Sequence, residues 1–555
     1  MTDPTPDGTD RRTFLTLLAA GAGVAAAAPM LASCSSSSTA SSAGTKTGSI
    51  QSGDKLANLV PTFKAANYVQ PELPSVNGSA AGYLSYPTSP VKSVPTVPGK
   101  GSSFTAMTPA WWAIPRSDNA FYKAVNAELG ASIKFNVVNG NDYGTKIAAI
   151  FASKRVPDIL CLPLWEGVKP QNFSGYVGAL FEDLTPYLAG DISAKWPNLA
   201  NLPTRAWEFS VFNGKLYGLP FPGGLIADVL FYRDDLFKQL GVEPPKSADD
   251  WLALAKEVTD AKKGRWACGD VFEECRRMYG VPFKWERQNG KLLYQYETDA
   301  YAAAVEFNRK LYAGGYVHPD VVAKNTATSK DLFESGKFLM YEDGIGGWHE
   351  ALERQRPSNP TFSMAPFPPF AADPAKKPIY WAADPAGIMG FVKKGLGKDK
   401  VEEILGLMNY IAAPYGTHEY DLLTYGPRGV DSKPSAPGVP QLTDQGKKEV
   451  TYTYSFLVGR PDIVSEPLYP DYVKANHSWQ VSAAAYLSKG VLDGLNVEEP
   501  PKYASLYKQF DDKLQDILRG RAPMTDLATA VSTWQKNGGN ALRDFYEKQL
   551  SAAGR

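Results

Sequence analysis

Histidine is scarce in this chain, four among 555 residues, and so is cysteine, also four. So little imidazole leaves thin material for histidine-based metal binding or acid–base work. No second Cys or His pair lies at ligand spacing, so zinc is not expected, and no metal or other cofactor is called for. An excess of one charge is lacking too: 58 Lys and Arg balance 58 Asp and Glu. Without basic residues to spare for phosphates, a nucleic-acid partner loses its electrostatic footprint, and a neutral partner fits better. Catalytic signatures are missing in turn. There is no G-x-S-x-G elbow, no P-loop and no G-x-G-x-x-G, and the run His349-Glu350-Ala351-Leu352-Glu353 ends in glutamate where H-E-x-x-H needs its second histidine. A protein that is not an enzyme is expected. Paired carboxylates for glycoside hydrolysis can lie far apart in a chain, however, so a secreted carbohydrate-active hydrolase stands as the rival. Asn139 to Gly144 resembles half a calcium loop, but Tyr143 occupies a ligand position and a helix cap accounts for it better.

Long apolar runs are absent except near the start. Arg11-Arg12-Thr13-Phe14-Leu15 is a twin-arginine pattern, and an Ala/Gly-rich run extends from Leu15 to Met30. As a helix, Phe14 to Met30 spans about 25 Å, short of the roughly 30 Å hydrocarbon core, so no permanent span is expected. Leu31-Ala32-Ser33-Cys34 resembles the lipobox of bacterial lipoproteins, in which the cysteine becomes the lipidated first residue. Residues 1–34 thus read as an export signal, and Cys34 as an anchor to the outer face of the cytoplasmic membrane. Residues 35–100 read as a Ser-rich tether followed by an extended arm rich in Pro, Ser and Val that wraps a lobe. In an oxidising compartment Cys268 and Cys275 could pair across a short loop. Cys161, within Ile159-Leu160-Cys161-Leu162, reads as a buried strand residue.

From about Ser102 the pattern alternates. Strands are expected over Phe104–Met107, Ile133–Val138 and Val156–Leu160, with helices from Asn119 and Asp142 between them. This is an α/β sheet, whose ligands bind in loops at the C-terminal strand ends. The chain is organised around Asn213–Phe237, where two apolar runs are interrupted by Pro220, Pro222, Gly223 and Gly224, which fit poorly in a ladder. That is a hinge between two bodies. A helix start at Asp234 and another capped by Ser247 follow.

These residues carry a resemblance. Tyr217-Gly218-Leu219-Pro220, Phe231 to Phe237, the loop Gly241–Pro245 and Trp251 resemble the extracytoplasmic solute-binding proteins of ABC importers, in the sugar-binding group that includes maltose-binding protein. Pro157-Asp158-Ile159, Phe181 to Pro186, Asp331 to Tyr341 with Trp348, and Tyr380 to Ile388 are similar to the same family in the same order. Pro414 to Gly426 resembles the larger lipoproteins that import complex oligosaccharides. The resemblance implies a two-lobed, type II α/β fold, with 101–225 and 382–430 as lobe 1 and 226–381 and 431–555 as lobe 2. It implies a monomer that captures a carbohydrate between lobes and presents it to an ABC permease. A receptor for a peptide or other solute is the third reading.

Sugars offer a C–H face and an edge of hydroxyls, so a receptor needs flat aromatic platforms beside in-plane donors and acceptors. The candidates are Trp165 with Glu166, Trp348 and Trp479, whose places resemble family platform positions. Trp111 and Trp112 near Arg116 and Asp118, and Trp381 near Asp384, join them. Each tryptophan has core packing as its alternative, and Arg116 with Asp118 could be a solvated pair. Trp196, Trp207, Trp251, Trp266, Trp285 and Trp534 are assigned to the core.

Overall fold

The computed structural model describes residues 54–66, 68–165, 172–325, 328–435, 438–493, 495 and 497–555. Cys34 and Glu166 lie outside these residues. In chain order the strands that shape the molecule are β1 (Ala81–Tyr83), β2 (Ser103–Ala110), β3 (Ser132–Asn139), β4 (Ile159–Pro163), β5 (Gly218–Phe221), β6 (Asp228–Tyr232), β7 (Trp266–Cys268), β8 (Phe338–Gly344), β9 (Ala365–Pro366), β10 (Ile388–Val392) and β11 (Ile463–Ser465).

Two sheets result. The first has the order β3-β2-β4-β10-β5, in which β2 runs parallel to β3 and β4 while β10 runs antiparallel to β4 and β5. The second has the order β9-β6-β8-β7, with β6 antiparallel to β8 and β9, and β8 parallel to β7. Side chains alternate across each. In β4, Ile159 joins one core and Leu160 and Leu162 the other; in β6, Leu230 and Tyr232 face one core, Val229 and Phe231 the other. Each sheet is therefore buried on both faces, which is why β4 is apolar from end to end.

Side-chain caps close several helices, among them those expected at Asn119 and Ser247, while Asp142, at the head of Tyr143–Ser153, makes no side-chain cap bond. Asn119 Oδ1 accepts from Tyr122 N at the head of Ala120–Leu129, Ser247 Oγ from Asp250 N at Ala248–Val258, and Thr298 Oγ1 from Tyr301 N at Asp299–Ala313. The helix expected from Asp234 runs Asp234–Leu240, and Arg233 just before it is buried; it forms a two-pronged pair with Asp235 and donates to the carbonyls of Phe333 and Glu334. The arm touches both bodies: Leu56 and Val60 enter the first core, Ala80 packs on the second sheet, and β1 pairs with β11.

From Ser102 on, the chain passes between the sheets three times, and the third passage comes at 458–464 and not after 430. Besides 221–228 and 381–388, the segment 458–464 leaves Leu457 and Val458 in the first core and delivers Val464 to the second. Tyr454, too, packs against the first sheet's helices, so the lobe 2 assignment of everything after 430 does not fit the cores. The three passages are bound together. Gly223 N donates to Pro385 O, Ala383 N to Leu225 O, and Gly459 N to Pro220 O.

One cysteine reading is corrected. Cys161, Cys268 and Cys275 are all buried free thiols. Cys268 ends β7, and Cys275 lies inside the helix Phe272–Met278, where its sulfur accepts from Asn308 Nδ2 at 3.5 Å. Burial pushes both thiols well up, the condition of inert core cysteines.

The contact between β10 and the third passage leaves no room for a side chain: a Cβ at Gly390 would stand 2.0 Å from the Leu457 carbonyl oxygen. Gly390→Ala is expected to cost about 1–3 kcal/mol, the usual range for overpacking. Urea unfolding checks this, and an unchanged midpoint would show that the third passage does not press on β10.

Candidate ligand-binding site

The strand order reverses at β2 and β4, and their C-terminal ends form the crevice where open α/β sheets bind ligands. Trp111 follows the last residue of β2, and Trp165 stands two residues beyond β4. The structure brings them together, ring centroids 5.6 Å apart. Trp111 is 47% and Trp165 44% exposed, far above the norm for a packed indole. Gly140 seats the first: a Cβ there would fall 2.2 Å from the Trp111 Nε1 atom.

The shelf continues through residues the sequence reading did not single out. Phe456, itself buried, backs the shelf 6.2 Å from Trp111, 5.6 Å from Trp112 and 6.0 Å from Phe221, and stacks on Tyr452, which is 46% exposed. No periodic signal marks them: the segment is a run of turns, with Phe456 N donating to Tyr452 O and Leu457 N to Tyr454 O, which puts Tyr454 in the first core and leaves Tyr452 outward.

The second body carries an acidic wall on the helix Gly346–Gln355, with Glu350 and Glu353. The Tyr452 hydroxyl is pushed up to about 12, first by desolvation and then by the charges of Glu353 and Glu350. Asp228, at the head of β6, and Glu353 are accessible to solvent, yet desolvation raises both carboxyls. Groups that water reaches but protein largely surrounds line a cleft. Between the bodies, Asp462 has a carboxyl pushed up to about 6 by desolvation alone. Its Oδ2 lies 3.2 Å from where a Cβ on Gly224 would stand, at the crease of the passages.

The other expected site residues divide. Trp381 is half-buried: its Nε1 donates to Val281 O, and Arg276 and Arg277 stack over its ring at 4.8 and 5.6 Å. Phe283, 43% exposed, extends this second aromatic patch at 5.6 Å. Asp384 is exposed on the second passage. Arg116 and Asp118 pair with each other at 3.0 Å in solvent, the plain surface reading. Trp348 and Trp479 are corrections. Trp348 is 3% exposed, packed edge-on to Phe231 and Tyr472; Trp479 is 8% exposed, with its Nε1 donating to Phe367 O at 2.7 Å. Each stands on a helix face that covers the second sheet, so its indole fills that core and offers no platform.

Asp462 gives a pH dependence with a definite sign. Its folded pKa of about 6 lies above its ordinary 3.8, so the folded state binds this proton more tightly than the unfolded chain. The ligand-free protein should therefore lose stability as pH rises from about 4 to about 6, through this group, and stay at that cost above. Asp462→Asn should melt with wild type at pH 4 and above it at pH 7.5. Equal melting temperatures at both pH values would show that Asp462 is well solvated.

The family model for bacterial extracellular solute-binding proteins matches residues 111–414, more than half of the chain. YtcQ of Bacillus subtilis strain 168, a polygalacturonan/rhamnogalacturonan-binding protein, is 21% identical over 486 residues, covering 82% of this chain and 93% of its own. Lipoprotein LipO of the same organism is 23% identical over 243 residues, 40% of this chain and 46% of its own. Among solved structures, the N-glycan transport solute-binding protein NgtS of Streptococcus pneumoniae shares the two-lobed fold with a TM-score of 0.60 at 14% identity, covering 82% of this chain and all of that one. The chain belongs to the bacterial extracellular solute-binding proteins.

Proposed function

We propose that this protein captures an oligosaccharide between its two bodies and hands it to the permease of an ABC importer. The observation that carries the reading is the pair of exposed indoles, Trp111 and Trp165, at the reversal point of the first sheet. A flat, water-exposed aromatic surface suits the C–H face of a sugar ring, and carboxylates across the cleft suit its hydroxyls. The carbohydrate named for YtcQ and the glycan transport named for NgtS support the same class of ligand. Binding favours a closed population, with the three passages as the hinge. Residues 1–34 act as a twin-arginine export signal, and lipidated Cys34 holds a monomer at the membrane; the lipoprotein relative LipO supports the anchor.

The shelf separates binding from folding. Trp111→Ala and Trp165→Ala should each weaken a glycan identified by thermal-shift screening by about 2 kcal/mol, roughly thirtyfold. Exposed residues cost little on removal, so the ligand-free stability of both variants should stay within about 0.5 kcal/mol of wild type. Calorimetry beside melting decides: wild-type affinity in both variants sinks the shelf assignment. Recovery of the glycan as cleaved products would establish the hydrolase instead.

Cys34→Ala is expected to move the protein from the membrane fraction to the soluble fraction. Unchanged retention after that substitution would refute the anchor.

A further inference from the structure

The helix Gly346–Gln355 sets His349 and Glu353 one turn apart on the same side. Glu466, 117 residues beyond His349, comes against them directly after β11. His349 Nε2 lies 2.7 Å from Glu466 Oε2 and 3.6 Å from Glu353 Oε1, and one ligand atom from each residue falls within 4.8 Å of the others. Two carboxylates thus share one imidazole. Among the described residues no lysine or arginine forms an ion pair with either: Arg354 pairs with Glu334 and Glu350, and Lys330 with Asp343 and Glu350. Among the described residues His349 is the one basic side chain paired with the two carboxylates, in a place that protein already walls off. Tyr472 backs it, its ring 5.9 Å from the imidazole, and Glu466 is buried. The Glu353 side chain, 53% exposed, leaves one side open to the cleft.

The donor set is selective. Three ligands about 2.0–2.2 Å from one ion stand about 3.0–3.5 Å apart, so the separations here need only small side-chain rotations. One imidazole nitrogen with two carboxylates suits Zn²⁺ and, less well, Mn²⁺; Ca²⁺ demands six to eight oxygens. The truncated motif H-E-x-x-E hid the site, because its third ligand comes from far along the chain.

We propose that His349, Glu353 and Glu466 form a binding site for one divalent transition-metal cation, with Zn²⁺ the best match. An ion there ties the helix Gly346–Gln355 to the segment that emerges from the third passage. The site shares Glu353 with the acidic wall of the cleft but takes nothing from the aromatic shelf, so its test is run on ligand-free protein with the metal alone.

Full-length protein stripped with chelator is titrated with zinc chloride by calorimetry, with melting followed in parallel. The expected result is one Zn²⁺ per chain and a melting temperature that rises on binding. Glu353→Gln and Glu466→Gln should each weaken the dissociation constant at least tenfold. Glu353 is exposed, so its variant keeps the fold and serves even where Glu466→Gln does not. Crystals soaked in zinc should show an anomalous peak among the three side chains. No uptake by the wild type, equal uptake by the Glu353 variant, or Ca²⁺ binding as tightly as Zn²⁺ would overturn the assignment.

Discussion

Three chain passages are held against one another by backbone contacts that tolerate no side chain, and the rest of the architecture depends on that bundle. A Cβ on Gly459 would lie 2.6 Å from Pro222 Cδ, and one on Gly223 would lie 2.7 Å from the Asp384 carbonyl. Glycine is needed at both for close approach, whatever its backbone angles. The bonds from Gly223 to Pro385 and from Gly459 to Pro220 then fix the passages to one another and to the edge of the first sheet. Prolines at 220, 222 and 385 stiffen the same segments, so bending concentrates at few positions. A hinge built in this way lets two bodies move while keeping the register of the passages.

The bundle also decides what the cleft contains. Phe221 ends β5 and touches Phe456, which precedes the third passage, so the aromatic shelf is continuous with the hinge. Asp462 sits on the same passage at the crease. A change in the angle between the bodies therefore alters the solvation of Asp462 and the spacing of shelf and wall together. Desolvated carboxyls at Asp228, Glu353 and Asp462 hold their protons more tightly than free ones, and all three are accessible to a ligand. In a cleft of this kind the carboxyls gain when a hydroxyl donor replaces lost water.

Periodicity and caps made most of the fold legible. The strands β2, β3 and β4 and the helices starting at Asn119 and Ser247 follow from local signals that the tertiary structure does not override, whereas Pro220, expected to fit poorly in a ladder, sits in β5 and pairs with Met389 of β10, where the sheet edge tolerates it. The third passage was expected after 430 and lies at 458–464, because Gly459-Arg460-Pro461-Asp462 is short and lies in a stretch without clear period. The site was half legible. Trp111, Trp112 and Trp165 could be placed at strand ends from the α/β pattern alone. Trp348 and Trp479 could not be sorted from core residues, since a tryptophan near a glycine pair or a histidine looks the same whether its ring faces a sheet or a cleft. Only the helix phase decides, and both rings lie on the face that covers β6 and β8. The cysteine pair failed for a related reason: seven residues of separation permit a disulfide, but one partner became part of a helix whose thiol side is packed against Asn308.

In the proposed reading the two bodies divide the work of recognition by chemistry. The first supplies area: indoles and phenyl rings whose attraction for a ring face is short-ranged and nearly independent of pH. The second supplies charge, in the acids around His349; Arg276 and Arg277 over Trp381 are already paired with Glu273, Glu274 and Glu342. Stacking on the first body alone leaves a ligand's hydroxyl edge in water, where new hydrogen bonds bring little net gain. Approach of the second body removes that water, so each polar contact strengthens as the cleft narrows. A solute too small to span the shelf and the wall gains from one body only. That geometry favours an extended ligand over a single sugar, and it follows from where the passages set the two sheets, not from any one residue in the cleft.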